Sequence, residues 1–451
     1  MSESQPGENR RMQPMAAADA QLFWLSKTVP NDQFLLYAFD GTPVDIAAAI
    51  GEVRRRARGC PNLCLRAVDD RRWGYPRWQP VQPTDDQFVV HSRDGQDWEG
   101  CLDTVRRLAP LDQSRMAWRV HVLPRVLGIP SRGHRPGARS GARSGAPSAA
   151  AGSVVVVQIS HALGDGVRAA SLAATLLGRR QPATPRSRPD RGVLPWRAAV
   201  AAQAHRRLVR EVEAGLIAPP GLPRPVLSVN AGRSRATVVR TLVLDRTRIP
   251  GPTVTVGALV AVAEALSGYL ADRGEDVSRL GAEVPMATGS KFGVETAESM
   301  PSANNNFRSV GVDLLPELDR PCRAERITAQ LADHRRRGRH PAIQTSAAAF
   351  ASVPAPVLRW AVGRFDPAAR PPAVSGHTVV SSVNRGAADL MFGGKRVLMT
   401  AGYPALSPMM GLTHGVHGIG DTVAVSVHAD PSVIDVDHYL DRLSGVFGCP
   451  R

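Results

Sequence analysis

Lysine is almost missing from this sequence. Of 56 basic residues only Lys27, Lys291 and Lys395 are lysines, in a chain of 451 residues with a formal net charge of +16. An arginine bias of this kind, beside abundant Ala, Pro and Gly, matches GC-rich coding as well as it matches a functional demand for charge. The arginines gather in stretches expected to be poorly packed, at Arg54-Arg55-Arg56, in the segment 132–143 and at Arg335-Arg336-Arg337. No aromatic-interleaved basic motif, zinc module or recognition-helix pattern accompanies them, so nucleic acid is not the expected partner. An acidic small substrate or an anionic membrane surface fits the charge equally well.

Cysteine is also sparse. Cys60, Cys64, Cys101, Cys322 and Cys449 are an odd number without framework spacing, which excludes a disulfide scaffold and favours a reducing compartment. Cys60 and Cys64 lack a second pair at zinc-site spacing and read as ordinary thiols. The first eleven residues lack the apolar core of a signal peptide, and no uninterrupted apolar run reaches the ~20 residues of a membrane span. The expectation is a soluble cytoplasmic protein, attached to a membrane face or lipid droplet only peripherally.

What is present is enough apolar material, 43% of residues, to build two or three cores. The most informative stretch runs from Ser153 through Val154-Val155-Val156-Val157 to His161, Asp165 and Gly166. Continuous β-branched residues predict a strand covered on both faces, and Gly164 and Gly166 punctuate a tight turn. The residues from Val167 to Gly178 then have helix-forming composition, with Val167, Ala170, Ala174 and Leu177 on an apolar face. A strand-to-helix junction can hold a reactive group at the floor of a cleft, which makes His161 the first candidate base. A histidine in this position also commonly serves structure, and the residues alone leave both readings open.

Along the chain, residues 1–14 are expected to be disordered, with a short helix beginning near Met15. Strands are predicted at Gln33–Phe39, Leu63–Val68, Trp118–Leu123, Thr237–Leu244, Val379–Val383 and Thr422–His428, and helices at Val44–Ala57, Trp196–Gly215, Val256–Leu270 and Asp435–Phe447. Alternation of this kind indicates mixed α/β layers. The Gly/Arg/Ser-rich segment 128–152 reads as a flexible insertion between paired strands. The domains are then 15–180 and 233–451, joined by a linker with a helix at 181–232. Thr255 is placed to cap the helix that follows it. His414 and His417 lie in a Gly-rich stretch and read as turn residues, while His121 and His428 occupy strands. Asn304, Asn305 and Asn306 mark a turn, and Asn304 is a candidate contact to a substrate carbonyl.

The run Ser160-His161-Ala-Leu-Gly-Asp165-Gly166 resembles the HHxxxDG motif of the coenzyme A-dependent acyltransferase superfamily. Its surroundings are most similar to the bacterial wax ester synthase/diacylglycerol acyltransferases. Asp19-Ala-Gln-Leu-Phe-Trp24, Arg115-Met-Ala-Trp118, Asn230, Tyr403-Pro-Ala-Leu-Ser-Pro408 and Asp435-Val-Asp-His-Tyr-Leu agree with that family in order and spacing. The resemblance implies two chloramphenicol-acetyltransferase-like α/β domains with a tunnel between them. It assigns His161 as catalytic base, with Asp165 and Gly166 as orienting residues of the loop and an arginine as the ion partner of Asp165. It also implies acyl-CoA as co-substrate, a lipid alcohol as acceptor, and no metal or resident cofactor. Ser160 replaces the first motif histidine, and Thr255-Val256 replace the usual Asn-Asp. Ser160, Ser381, Ser382 and Asn304 are the candidates for contact with substrate or tetrahedral intermediate. The expected activity is O-acylation of diacylglycerol or of a long-chain alcohol. The alternatives are a carrier-protein-dependent condensation or acyl transferase, and a catalytically weak lipid-binding homologue.

Overall fold

The computed structural model describes residues 12–91, 96–131, 151–180, 192–232, 236–288 and 303–448. The expected insertion falls mostly outside these residues, as do most of the N-terminal segment and the Arg/Pro-rich part of the linker. Gln13 and Pro14, placed by the sequence in the disordered segment, pair with Trp78 and Arg77.

Two sheets organise the chain. A seven-stranded sheet has the order Met391–Phe392, Lys395–Ala401, Gln33–Phe39, Gly152–Ile159, Trp118–Leu127, Phe88–Val90, with Gln96–Asp97 also pairing on Trp118–Leu127. A six-stranded sheet has the order Val238–Asp245, Thr422–Ala429, Leu412–Ile419, Thr378–Asn384, Gly281–Ala287, Phe307–Asp313. Sheet membership does not simply follow chain order. Lys395–Ala401 leaves the C-terminal half to pair antiparallel with Gln33–Phe39, so a strand from the second half completes the first sheet.

The strand Gly152–Ile159 sits inside its sheet, between Gln33–Phe39 and Trp118–Leu127. Its alternation explains the unbroken apolar run. Val155, Val157 and Ile159 enter a core beneath the helices Ala17–Leu25, Ile46–Arg58 and Gly166–Leu176. Val154 and Val156 point the other way, into a layer shared with Trp98, Cys101 and Leu102 and with Val239, Val243 and Ala424 of the second sheet. Fully burying one such side chain contributes ~1.5–3 kcal/mol, so polar residues here would be expensive on either face. The one polar side chain in the middle of this run, Gln158, is hydrogen-bonded to Asp32, Ala109 and His121.

The helix Gly166–Leu176 starts one residue before the predicted Val167, and its buried side is broader than expected. Ala169, Ala170, Leu172, Ala173, Ala174 and Leu176 are all buried, whereas Val167 in the first turn is 60% exposed.

The second core surrounds the helix Val254–Ala271. By length and composition this helix could cross a membrane, yet it is largely buried beneath the six-stranded sheet and the closing helix Val436–Val446. Its cap differs from expectation. The helix begins two residues earlier than predicted, so Thr253 is the N-cap and accepts from the Val256 N–H at 3.2 Å, while Thr255 donates instead to the Ser382 hydroxyl at 3.0 Å. Thr253→Ala should therefore cost about 1 kcal/mol in chemical denaturation, and Thr255→Ala should leave the cap intact.

His414 and His417 are not turn residues. Both lie in the buried strand Leu412–Ile419, where His414 bridges Thr378 and Tyr439 and burial pushes its pKa down to about 3. The strand can pass this close to its neighbour because Gly415 lacks a side chain: a Cβ there would collide with the Gly402 carbonyl.

Candidate active site

His161 stands two residues beyond the end of the buried strand, at the start of a short 3₁₀ turn, His161–Leu163. Ser160 is fully buried. Its N–H donates to Ala117 and its hydroxyl accepts from the Ala162 N–H at 3.1 Å, so it caps the turn. Ser160, a candidate for substrate contact, is thus placed with no exposure and with its side-chain oxygen accepting from the backbone.

The histidine is half-buried, with its Nδ1 3.0 Å from Asn305 Oδ1 and its ring 5.4 Å from the centre of the Phe307 ring. Both partners come from the second half of the chain, at the entry to the strand Phe307–Asp313. Burial holds the His161 pKa below its ordinary value, outweighing the hydrogen bonds and the Asp165 charge that push it upward. The imidazole is therefore neutral at pH 7, the form a general base requires.

Asp165 orients the loop, although not through an arginine. One carboxylate oxygen accepts from the Val167 and Arg168 N–H groups at 3.2 and 3.0 Å, capping the following helix. The other accepts from the Asn306 N–H at 3.0 Å, and the Asp165 N–H donates to the Asn304 carbonyl at 3.3 Å. Among the described residues no arginine lies within ion-pair distance of this carboxylate. A helix N-terminus already presents unpaired N–H groups and a favourable dipole, which leaves the anion no need of a cation.

The two glycines of the turn differ in how tightly they are packed. A Cβ on Gly166 would meet Val383 Cγ2 at 3.6 Å, an ordinary contact, whereas a Cβ on Gly164 would lie 2.5–2.8 Å from the Arg168 side chain. Close approach is thus needed at Gly164. Gly164 also has its carbonyl held by Gln33 Nε2 at 2.6 Å.

The asparagine that meets the histidine is Asn305, one position beyond the candidate Asn304. Asn304 uses its main chain, its N–H donating to Asp19 and its carbonyl accepting from Asp165. Asp19 is the residue that sequence reading passed over as a site. It lies in the first turn of the helix Ala17–Leu25, is completely buried, and accepts from the Asn304 N–H, the Asn305 N–H and Asn305 Nδ2 at 3.0, 3.1 and 2.9 Å. Burial raises its pKa to about 6 against the downward pull of those donors. A lone carboxylate within the apolar run Ala16-Ala17-Ala18-Asp19-Ala20 was the available signal, since burying an acid demands partners.

Ser381 and Ser382 lie on the strand Thr378–Asn384, and neither is hydrogen-bonded to His161. Ser381 shares a face with Val383, the residue against Gly166, and Ser382 points to the helix start at Thr255. The two grooves described are lined by Phe365, Arg370 and Met409 and by Asp45, Glu52 and Lys395. Both lie away from the motif, so neither corresponds to the implied tunnel. Among the described residues no cluster of three or more His, Cys, Asp or Glu side chains could hold a metal.

The arrangement is a neutral imidazole at the junction of two sheets, built on a rigid strand, with one ring nitrogen anchored. Residues 304–448 match a family model described as the WS/DGAT C-terminal domain. No curated protein matches the sequence. In fold the chain is similar to the wax ester synthase/diacylglycerol acyltransferase from Marinobacter aquaeolei VT8, at 17% identity over 97% of this chain and 98% of that one, TM-score 0.57. It is similar also to the first condensation domain of the CDA synthetase, at 17% identity over 98% and 97%, TM-score 0.57. A starter condensation domain of rhizomide synthetase, solved with C8-CoA and Leu-SNAC, matches at 14% identity over 97% and 93%, TM-score 0.56. The mixed α/β layers expected from the alternation of strands and helices are observed.

Proposed function

We propose that this acyltransferase, whose residues 304–448 form a WS/DGAT C-terminal domain, moves a long-chain acyl group from acyl-CoA to a lipid alcohol, either diacylglycerol or a long-chain alcohol. The observation that carries the reading is His161 itself: half-buried, neutral, one nitrogen held by Asn305 and the other, Nε2, left for substrate. The acceptor O–H gives its proton to Nε2 as the oxygen attacks the thioester carbonyl. The tetrahedral intermediate then collapses, the C–S bond breaks, and the imidazolium returns the proton to the departing sulfur. Every proton is accounted for, and neither a covalent acyl-enzyme nor a resident cofactor enters the scheme. Ser381, on the strand face that Val383 presents to Gly166, is the hydroxyl assigned to the oxyanion in this reading, while Ser382 accepts from Thr255 on the opposite face.

The test is purified protein with long-chain acyl-CoA and each acceptor, following free thiol and neutral lipid together. Acceptor-dependent thiol release with ester formation supports the reading; lipid binding without turnover supports the weak-homologue alternative. Likeness to the two condensation domains favours one second reading, in which the thioester donor is carried on a protein. Competition between acyl-CoA and an acyl-carrier thioester separates the two.

A pH dependence follows from the base. Activity requires neutral His161, so kcat/KM should rise with pH and level off. Because burial lowers the pKa, the midpoint of the acid limb should lie below the ordinary histidine value of ~6.5. A midpoint above that value would contradict the assigned base.

A further inference from the structure

Proton abstraction by Nε2 requires the hydrogen of the neutral ring to sit on Nδ1, and nothing in an isolated imidazole ensures this. The hydrogen-bond chemistry around Asn305 does. Asn305 Nδ2 lies 2.9 Å from Asp19 Oδ1 and 2.8 Å from the His161 carbonyl oxygen. An ionised carboxylate and a carbonyl can only accept, so the amide must present both its hydrogens there; the flipped amide would face oxygen with oxygen twice. Its Oδ1 is then fixed at 3.0 Å from His161 Nδ1, and that atom too can only accept. The ring nitrogen opposite it must therefore be the donor.

We propose that Asp19 and Asn305 are positioning residues that lock neutral His161 with its hydrogen on Nδ1 and its lone pair on Nε2. The path runs through three elements that meet only in the folded chain: the opening helix carries Asp19, the loop entering Phe307–Asp313 carries Asn305, and the motif turn carries His161. Asp19 also takes both backbone N–H groups of Asn304 and Asn305, so it fixes the loop as well as the amide. The base is thus completed by docking of the second half of the chain onto the first. The inference deepens the acyl-transfer reading and rests on it for its catalytic meaning, while the tautomer itself is a property of the unliganded protein.

The experiment is nitrogen-15 NMR of histidine-labelled full-length protein, above the titrations of both His161 and Asp19, with the His161 signals assigned by their loss in His161→Ala. Wild type should show a protonated Nδ1 and an unprotonated Nε2. Asn305→Ala and Asp19→Asn should show mixed or reversed tautomers while retaining the wild-type circular dichroism, and kcat should fall about 10–100-fold with KM changed less than about 3-fold. Asn305→Asp keeps an acceptor toward Nδ1 but sets a second carboxylate against Asp19; pairing it with Asp19→Asn should recover part of the lost kcat. A hydrogen on Nε2 in wild type overturns the proposal, as does an unchanged tautomer in a folded Asn305→Ala protein. If wild type transfers no acyl group, the functional reading fails, and the tautomer measurement still decides the proposal.

Discussion

His161→Ala should reduce acyl transfer by at least about 10³-fold while leaving the protein folded. The rate loss follows from chemistry: an alcohol is a weak nucleophile at neutral pH, and a positioned base contributes roughly 10²–10⁴ by accepting its proton as the bond forms. The same ring is the acid that protonates the departing sulfur, so its removal affects both halves of the reaction. Stability should change little. The ring is half-buried, lies on a turn held by Ser160 and Ala117, and meets the Asn305 amide, the Phe307 ring and its own main chain. Thiol release from long-chain acyl-CoA, measured beside circular dichroism, decides the matter. Equal release by wild type and His161→Ala would remove His161 from the mechanism.

The second large effect belongs to Asp165. Asp165→Ala removes the acceptor for three N–H groups at once, two at the helix start and one at Asn306. Loss of an N-cap costs about 1 kcal/mol, and a deprived buried N–H adds ~1–3 kcal/mol, so a loss of about 2–4 kcal/mol is expected in chemical denaturation. Activity should fall with it, because Asn306 adjoins the residue that holds His161. Asp165→Asn separates orientation from acid–base chemistry. It can keep one oxygen on the helix cap but turns an amide hydrogen toward the Asn306 N–H. It should retain measurable transfer with the acid limb of the pH profile still set by His161. A folded Asp165→Asn protein as inactive as His161→Ala would point instead to direct participation of the carboxylate.

Much of the fold can be read locally. The run Val154–Val157 states its own environment, since β-branched residues without alternation suit only a strand covered on both faces, and both faces are covered. The limits Gln33–Phe39 follow equally directly from composition and the Asp40-Gly41 turn. Errors appear where an environment is built from distant residues. His414 and His417 sit among glycines, which locally suggest a turn, yet those glycines allow a buried strand to pass close to Gly402. Thr255 had the right chemistry for a cap, but the helix start was decided two residues earlier by Thr253, and contact with Ser382 took the Thr255 hydroxyl.

The site divides in the same way. The sequence alone determined that a histidine, an aspartate and a glycine turn follow a buried strand, because strand, turn and helix propensities act over a few residues and leave their mark in order. It could not decide what the histidine's Nδ1 touches, nor that Asp165 serves backbone amides rather than an arginine. Those contacts join Asp19 to Asn305 across 286 positions and His161 to Asn305 across 144. Hydrogen bonds are short-ranged and directional, so their partners are chosen by how distant elements dock, and only the tertiary structure brings the opening helix and the motif turn each into hydrogen-bond contact with the Asn304–Asn306 loop.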